Sequence, residues 1–211
     1  MTRVPSLCGV ILAAGGSTRM GTDKALLSWP PNTAGATFLS SAIQALSPFT
    51  DLVIVVAGKN EASITPIVDA NGAFLVANPE SERGQFSSLQ CGLHEVLNHG
   101  RDAAMVTLVD RPPAQASTLD QLRTAFYEAV SAGKWSVVPE YRGQHGHPVL
   151  IGREMIEAFL KAAPDANARD IQRQNQASIE YFSVNDPFVT LNVDTPEDYA
   201  RLKSEPVQSG G

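Results

Sequence analysis

Short apolar runs alternating with helix-patterned segments constrain this chain more than any other feature. Residues 8–14, 52–56, 73–77, 103–109 and 135–139 are apolar over most of their length, and most are closed by glycine, asparagine or aspartate. A run that is apolar at consecutive positions has no solvent face, so it fits a strand buried on both sides. Between these runs, residues 37–46, 61–70, 86–97 and 117–132 read as helices. Leu89, Leu93, Val96 and Leu97, for example, fall on one helical face. Pro66 weakens the second helix, and Ser117 or Thr118 is the expected cap of the fourth. The alternation implies an α/β fold, a parallel sheet covered by helices on both faces. Such sheets bind ligands beyond the carboxyl ends of their strands. Gly15 and Gly16 follow the first run, Asn78 the third and Asp110 the fourth, so these are the residues to watch.

Beyond Pro139 the pattern changes. Residues 141–148 read as a polar turn, 153–161 and 166–175 as helices, and 178–183 and 188–193 as short strands. Pro196 then stands in the first turn of a final helix capped by Thr195. With 211 residues, 43% of them hydrophobic, the chain suits a single domain over residues 1–203. Residues 204–211, rich in proline, serine and glycine, are expected to form a flexible tail. A formal net charge of −6 argues against nucleic acid as a partner but leaves room for one small anionic ligand. Cys8 and Cys91 fit neither a metal knuckle nor a redox pair, which suggests two reduced, buried thiols. The N-terminus lacks the pattern of a signal peptide, and no apolar run approaches the ~20 residues of a membrane span. The expectation is a soluble, cytoplasmic protein with no membrane partner.

The loop from Leu12 to Lys24 carries the first chemical signal. Clustered glycines after a strand let backbone N–H groups approach a ligand closely, and Arg19 and Lys24 add positive charge suited to phosphates. The spacing fits neither a P-loop, because Thr22 and Asp23 precede Lys24, nor a GxGxxG dinucleotide loop. On composition alone, a tight turn with solvated charges remains equally open. Asp110, at the end of an apolar run, is costly to bury unless it is paired or binds a cation. It reads either as a Mg²⁺ ligand or as a turn and cap residue before Pro112 and Pro113.

Five segments in order carry a family resemblance. The stretch LAAGGSTRMGTDKALL resembles the opening signature of the MobA-like nucleotidyltransferases, roughly LAAGxxxRMGxxKxLL. GQFSSLQCGL at 84–93, VDRP at 109–112, GHPVL at 146–150 and NVDTPED at 192–198 resemble that family's later segments. The resemblance runs over roughly residues 8 to 202. It implies a three-layer α/β/α, Rossmann-like nucleotidyltransferase fold with a mostly parallel sheet. It also implies an in-line attack by an acceptor phosphate on the α-phosphate of a nucleoside triphosphate, with pyrophosphate leaving. Arg19, Lys24 and Asp110 would be catalytic. Leu12, Ala13, Ala14, Gly15, Gly16, Lys24, Asn78 and Ser88 would bind the nucleotide. Asp110, Asn192 and Asp194 would hold Mg²⁺. Asn192 stands where many cytidylyl-type relatives have aspartate, so Asp194 would serve as the second ligand or only cap the last helix.

The Ala13-Ala14 pair resembles the cytidylyl branch of the family, where guanylyl enzymes more often have a second glycine. Methyl groups there would narrow the base pocket in favour of a pyrimidine. That branch uses CTP and molybdopterin, the organic part of molybdenum cofactor, and a transient contact with a molybdenum hydroxylase or its chaperone follows from such a role. His145, His147, Arg153, Arg169 and Asp170 are candidates for the acceptor side, with His147 and Arg169 foremost. Rival readings are a guanylyltransferase or sugar-phosphate nucleotidyltransferase on the same fold, and a non-catalytic module that binds nucleotide or delivers cofactor.

Overall fold

The computed structural model describes residues 5–15, 20–31, 35–163 and 165–204. Its first half alternates β1 (Leu7–Leu12), α1 (Phe38–Leu46), β2 (Leu52–Ala57), α2 (Glu61–Ala70), β3 (Phe74–Ala77), α3 (Gln85–Asn98), β4 (Ala103–Leu108) and α4 (Ala116–Ser131). Its second half holds β5 (Ser136–Tyr141), β6 (Gln144–His145), β7 (Val149–Gly152), α5 (Arg153–Lys161), α6 (Ala168–Gln174), β8 (Ile179–Ser183) and α7 (Pro196–Ser204).

The strands form one sheet, β3-β2-β1-β4-β7-β5, with β8 and β6 attached to β5. β8 runs along one edge of β5, pairing Ser136 with Ile179 and Glu140 with Ser183. β7 and β6 share the other edge, one pairing at Ser136 and Val137 and the other at Glu140 and Tyr141. Pairings among β1, β2, β3 and β4, and between β5 and β8, are parallel; β7 is antiparallel to both of its neighbours. The sheet is thus mostly parallel, as the apolar runs implied.

Successive side chains of a strand face opposite sides, so each strand feeds two cores. Ile11, Val53, Val55, Met105 and Leu150 pack with Leu39 and Ile43 of α1, Ile64 of α2, and Leu122 and Phe126 of α4. Val10, Leu12, Ile54, Val56 and Val106 pack on the other face with Leu89 and Leu93 of α3 and with Ile156 and Phe159 of α5. A Cβ on Gly92 would fall 2.9 Å from both Val10 Cγ1 and Val56 Cγ2, so α3 lies on the sheet at a distance only glycine permits. A third cluster of Trp29, Phe38, Val193 and Tyr199 fastens α7 across the segment after Lys24, and the Tyr199 hydroxyl donates to Ser28 O at 2.9 Å.

Several expectations are corrected. Residues 188–193 are not a strand: Pro187–Val189 form a single 3₁₀ turn and the chain then runs without ladder pairing. Pro187 lacks an N–H, and the Asp186 carboxylate accepts from Phe188 N at 3.0 Å, which favours the turn. Residues 141–148 are not simply a turn. Arg142 and Gly143, both at positive φ, close a hairpin between β5 and β6. Neither Ser117 nor Thr118 caps α4; the entry to that helix is held by Asp186, which accepts from Gln115 N at 2.8 Å. The helix expected over 166–175 is shorter, because Asn167 caps it by accepting from Asp170 N. Ser204 belongs to α7, and the rest of the expected tail, 205–211, lies outside the described residues. Among the described residues, no helix is long and apolar enough to cross a membrane.

Candidate active site

Lys24 opens a single 3₁₀ turn, Lys24–Leu26, whose first residue is fixed by Asp23 accepting from Ala25 N at 3.0 Å. Asn60 ties this turn to the sheet. Its Nδ2 donates to Asp23 Oδ2 at 2.7 Å and to Ala13 O at 2.9 Å, and its Oδ1 accepts from Gly58 N at 3.0 Å. One amide therefore joins the loops after β1 and β2 and aims Lys24. Its signal in the sequence was faint: an asparagine two residues past a strand-closing glycine.

The Lys24 ammonium donates to Asp110 Oδ2 at 3.2 Å and to Asp194 Oδ1 at 2.9 Å. Asp110 stands just beyond β4, and its backbone carbonyl accepts from Val193 N at 3.0 Å, which brings the 192–194 stretch against the strand end. Asn192 Nδ2 donates to Asp194 Oδ2 at 2.6 Å. The neighbours of Asp194 take the helix-capping role away from it. Thr195 Oγ1 accepts from Asp198 N at 3.2 Å, and Asp198 accepts from the backbone N–H groups of Asp194 and Thr195. Thr195 is the cap, as expected, and those bonds, led by the Thr195 hydroxyl, hold the Asp198 carboxyl below its usual range. The Asp194 side chain is directed to Lys24 and Asn192 instead.

Two oxygens in this cluster, Asp110 Oδ1 and Asn192 Oδ1, are buried without a hydrogen-bond partner. Buried acceptors of this kind are rare and costly. An oxygen-only donor set of two carboxylates and one amide suits a hard divalent cation such as Mg²⁺, which completes its shell with water and phosphate oxygens. Among the described residues, no group of three or more histidine, cysteine, aspartate or glutamate side chains is placed to hold a metal ion; in a set of this kind Asn192 would supply the third oxygen donor.

The residues expected to meet the nucleotide divide into two groups. Leu12 and Ala13 are buried, and the Ala13 side chain packs within the core. Its methyl group is therefore not on a pocket wall. Ala14 is half-buried and Gly15 exposed, while Gly16 and Arg19 lie outside the described residues. Asn78 and Ser88 lie together but bond inward: Asn78 Nδ2 donates to Ser87 Oγ and Ser88 Oγ, both at 3.0 Å, and Asn78 Oδ1 accepts from Glu80 N. These bonds shape the 78–88 loop and leave the amide of Asn78 little capacity for a base.

On the acceptor side, Arg153 is misplaced. It follows Gly152, which pairs with Ala103 at the amino end of β4, and it ion-pairs with Asp102 and Glu157. Arg169 is exposed on α6, and Asp170 serves the cap of the same helix. His145 is exposed and stacked on Tyr181 with ring centroids 4.3 Å apart. His147 is half-buried, and burial, reinforced by the charge of Arg111, pushes its pKa down to about 3. The sequence carries no separate signal for Arg111, which stands beside Asp110 in the VDRP motif.

The lysine, carboxylates and amide gather at the carboxyl end of β4 in a Rossmann-like sheet, the end at which such sheets place their ligands. Residues 9–180 match the MobA-like NTP transferase domain, and the chain belongs to that family. It is 28% identical over 206 residues to nicotine blue oxidoreductase of Paenarthrobacter nicotinovorans, covering 95% of this chain and 98% of that protein. It is 24% identical over 196 residues to the molybdenum cofactor cytidylyltransferase of Escherichia coli K12, with 92% and 94% coverage. It is 30% identical over 197 residues to a probable molybdenum cofactor guanylyltransferase of Rhodopirellula baltica, with 92% and 90% coverage.

Proposed function

We propose that this nucleotidyltransferase moves CMP from CTP to the terminal phosphate of molybdopterin and releases pyrophosphate. The observation that carries transfer chemistry is the cluster at the end of β4, where Lys24 bridges Asp110 and Asp194 while Asp110 Oδ1 and Asn192 Oδ1 lack partners. Asp110, Asn192 and Asp194 would hold Mg²⁺, which supplies charge neutralisation for the triphosphate. Lys24 adds a positive charge beside the reacting phosphorus. An acceptor phosphate oxygen forms the new P–O bond, and the α–β bridging bond breaks with its electron pair leaving on pyrophosphate. A phosphate nucleophile is already ionised at neutral pH, so no side chain is needed as general base. Delivery of the product to a molybdenum hydroxylase or its chaperone is the corresponding partner role.

The cytidine choice rests on two sequence likenesses, that of the Ala13-Ala14 pair to the cytidylyl branch and that of the chain to the Escherichia coli cytidylyltransferase. A second reading, transfer of GMP, is favoured by the Rhodopirellula baltica relative and by the burial of the Ala13 methyl, which removes the steric argument for a small base. Pyrophosphate release with molybdopterin, Mg²⁺ and either CTP or GTP separates the two. Turnover at least about tenfold faster with CTP supports the first reading, and equal or faster turnover with GTP overturns it. Asp110→Asn should lower turnover by about 10²- to 10³-fold, the scale for losing one electrostatic stabiliser of a transition state. Unchanged turnover in that variant would refute the transfer mechanism.

A further inference from the structure

Beside the oxygen-rich cluster lies a second group of unsatisfied atoms, this time nitrogens. Arg111 Nε and His147 Nδ1 are both buried and without a hydrogen-bond partner. Arg111 Nη1 donates to Val189 O at 3.4 Å, and the same carbonyl accepts from the His147 backbone N–H at 2.8 Å. A Cβ on Gly146 would fall 2.2 Å from Val189 O, so only glycine lets the turn before β7 approach so closely. The guanidinium is thereby held against the turn that carries His147, and it acts electrostatically on His147 on one side and on Asp110 and Asp194 on the other. Arginine Nε is always a donor, and a neutral imidazole nitrogen can also donate. A spare guanidinium donor beside an imidazole nitrogen that can take the donor tautomer suits an anionic oxygen, above all a phosphate.

Sheet order says which phosphate. β4, which ends just before Asp110, is flanked by β1 on one edge and β7 on the other. Lys24 and the glycine-rich turn follow β1, whereas His147 precedes β7. In-line displacement puts the leaving group and the nucleophile on opposite sides of the reacting phosphorus. With the triphosphate on the β1 side, the nucleophile enters from the β7 side. We propose that Arg111 and His147 form the subsite that grips the phosphate monoester of the acceptor and orients its oxygen for attack. This rests on the transferase reading and adds to it the residues that receive the nucleophile.

Two measurements test the subsite. In protein with ¹⁵N-labelled histidine, the His147 ring resonance, identified by its loss in His147→Gln, should shift as inorganic phosphate is added to the wild type. The shift should vanish in Arg111→Gln. In steady-state assays, Arg111→Gln and His147→Gln should raise the KM for molybdopterin at least about tenfold, the scale of one lost charge-assisted hydrogen bond, and leave the KM for CTP within about twofold. A merely structural role at Val189 would disturb both substrates alike, so the split between the two KM values is what marks a phosphate contact. A His147 resonance indifferent to phosphate in the wild type overturns the proposal, and so does a rise in the KM for CTP instead of molybdopterin. The titration needs no turnover, so a wild type inert towards molybdopterin would refute the cytidylyl transfer while the phosphate shift still decides the subsite.

Discussion

Replacing Lys24 with methionine removes the cation that bridges two carboxylates while keeping most of the aliphatic stem. The ammonium lies 3.2 Å from Asp110 and 2.9 Å from Asp194, with side-chain exposures of 11% for the lysine, 24% for Asp110 and 35% for Asp194. At an effective dielectric constant near 20, a contact of about 4 Å is worth about 4 kcal/mol before desolvation, and partly exposed pairs retain only a fraction of that. The Asp110 contact should therefore contribute about 1–2 kcal/mol and the more exposed Asp194 contact less than about 1 kcal/mol. Without Lys24 the two carboxylates also repel each other, so Lys24→Met should lose about 2–3 kcal/mol in urea unfolding without metal. A double-mutant cycle with Asp110→Asn should return a coupling of about 1–2 kcal/mol. If Lys24 and the divalent cation neutralise the same oxygens, excess Mg²⁺ should raise the unfolding midpoint of Lys24→Met more than that of the wild type. A coupling near zero would refute the ion-pair reasoning. Equal Mg²⁺ stabilisation of the two proteins would show that lysine and cation act on separate oxygens.

His147 should make stability depend on pH. Its folded pKa of about 3 lies below the unfolded value of about 6.5, so the unfolded chain takes up the proton first as the medium is acidified. The stability associated with the neutral ring is complete above pH ~6.5 and is lost progressively as pH falls towards 3, amounting to about 1–2 kcal/mol by pH 5. Urea titrations should show this slope in the wild type and a flatter one in His147→Asn, and identical slopes would contradict the assignment. Asp186 is fully buried and accepts from Gln115 N at 2.8 Å and Phe188 N at 3.0 Å. Asp186→Ala should therefore cost about 3 kcal/mol in chemical unfolding, and a loss below about 1 kcal/mol would show that the carboxylate is not the staple it looks to be. Burial raises the pKa of both thiols, that of Cys8 to about 12. A disulfide reagent at pH 8 should modify half-buried Cys91 well before Cys8, and mass spectrometry of the labelled peptides reads the order.

The first half of the fold was legible because each strand there is buried on both faces and reads as an unbroken apolar run. Ile54, Val55 and Val56 are each fully buried, so no polar residue interrupts the signal. Pro66 did not break α2, which runs from Glu61 to Ala70 with Ile64 and Val68 in the core, because packing outweighed one unfavourable residue. The second half was harder to read for the converse reason. β7 has only four residues, lies antiparallel between β4 and β5, and follows directly on the GHP turn. A motif and a strand share those positions, and periodicity cannot separate them over so short a stretch. The 187–193 segment is apolar enough to imitate a strand, yet Asp186 and Pro187 turn it away from the sheet.

The site shows the same division. Asp110, Lys24, Asn192 and Asp194 were each visible at the end of an apolar run or within a motif, but nothing local says that they meet. The Lys24–Asp194 contact spans 170 positions and exists because β1 and β4 are neighbours and α7 is fastened across the segment after Lys24 by Trp29, Phe38 and Tyr199. Arg111 was hidden for a related reason. Its partner Val189 lies in a segment that imitates a strand, and His147 reaches the same carbonyl only through the approach allowed at Gly146. Placing β7 next to β4 therefore does more than widen the sheet. It gives Asp110 two flanks, one with the lysine turn following β1 and one where Arg111, just past β4, meets the histidine turn preceding β7, and the transfer proposed above would use both.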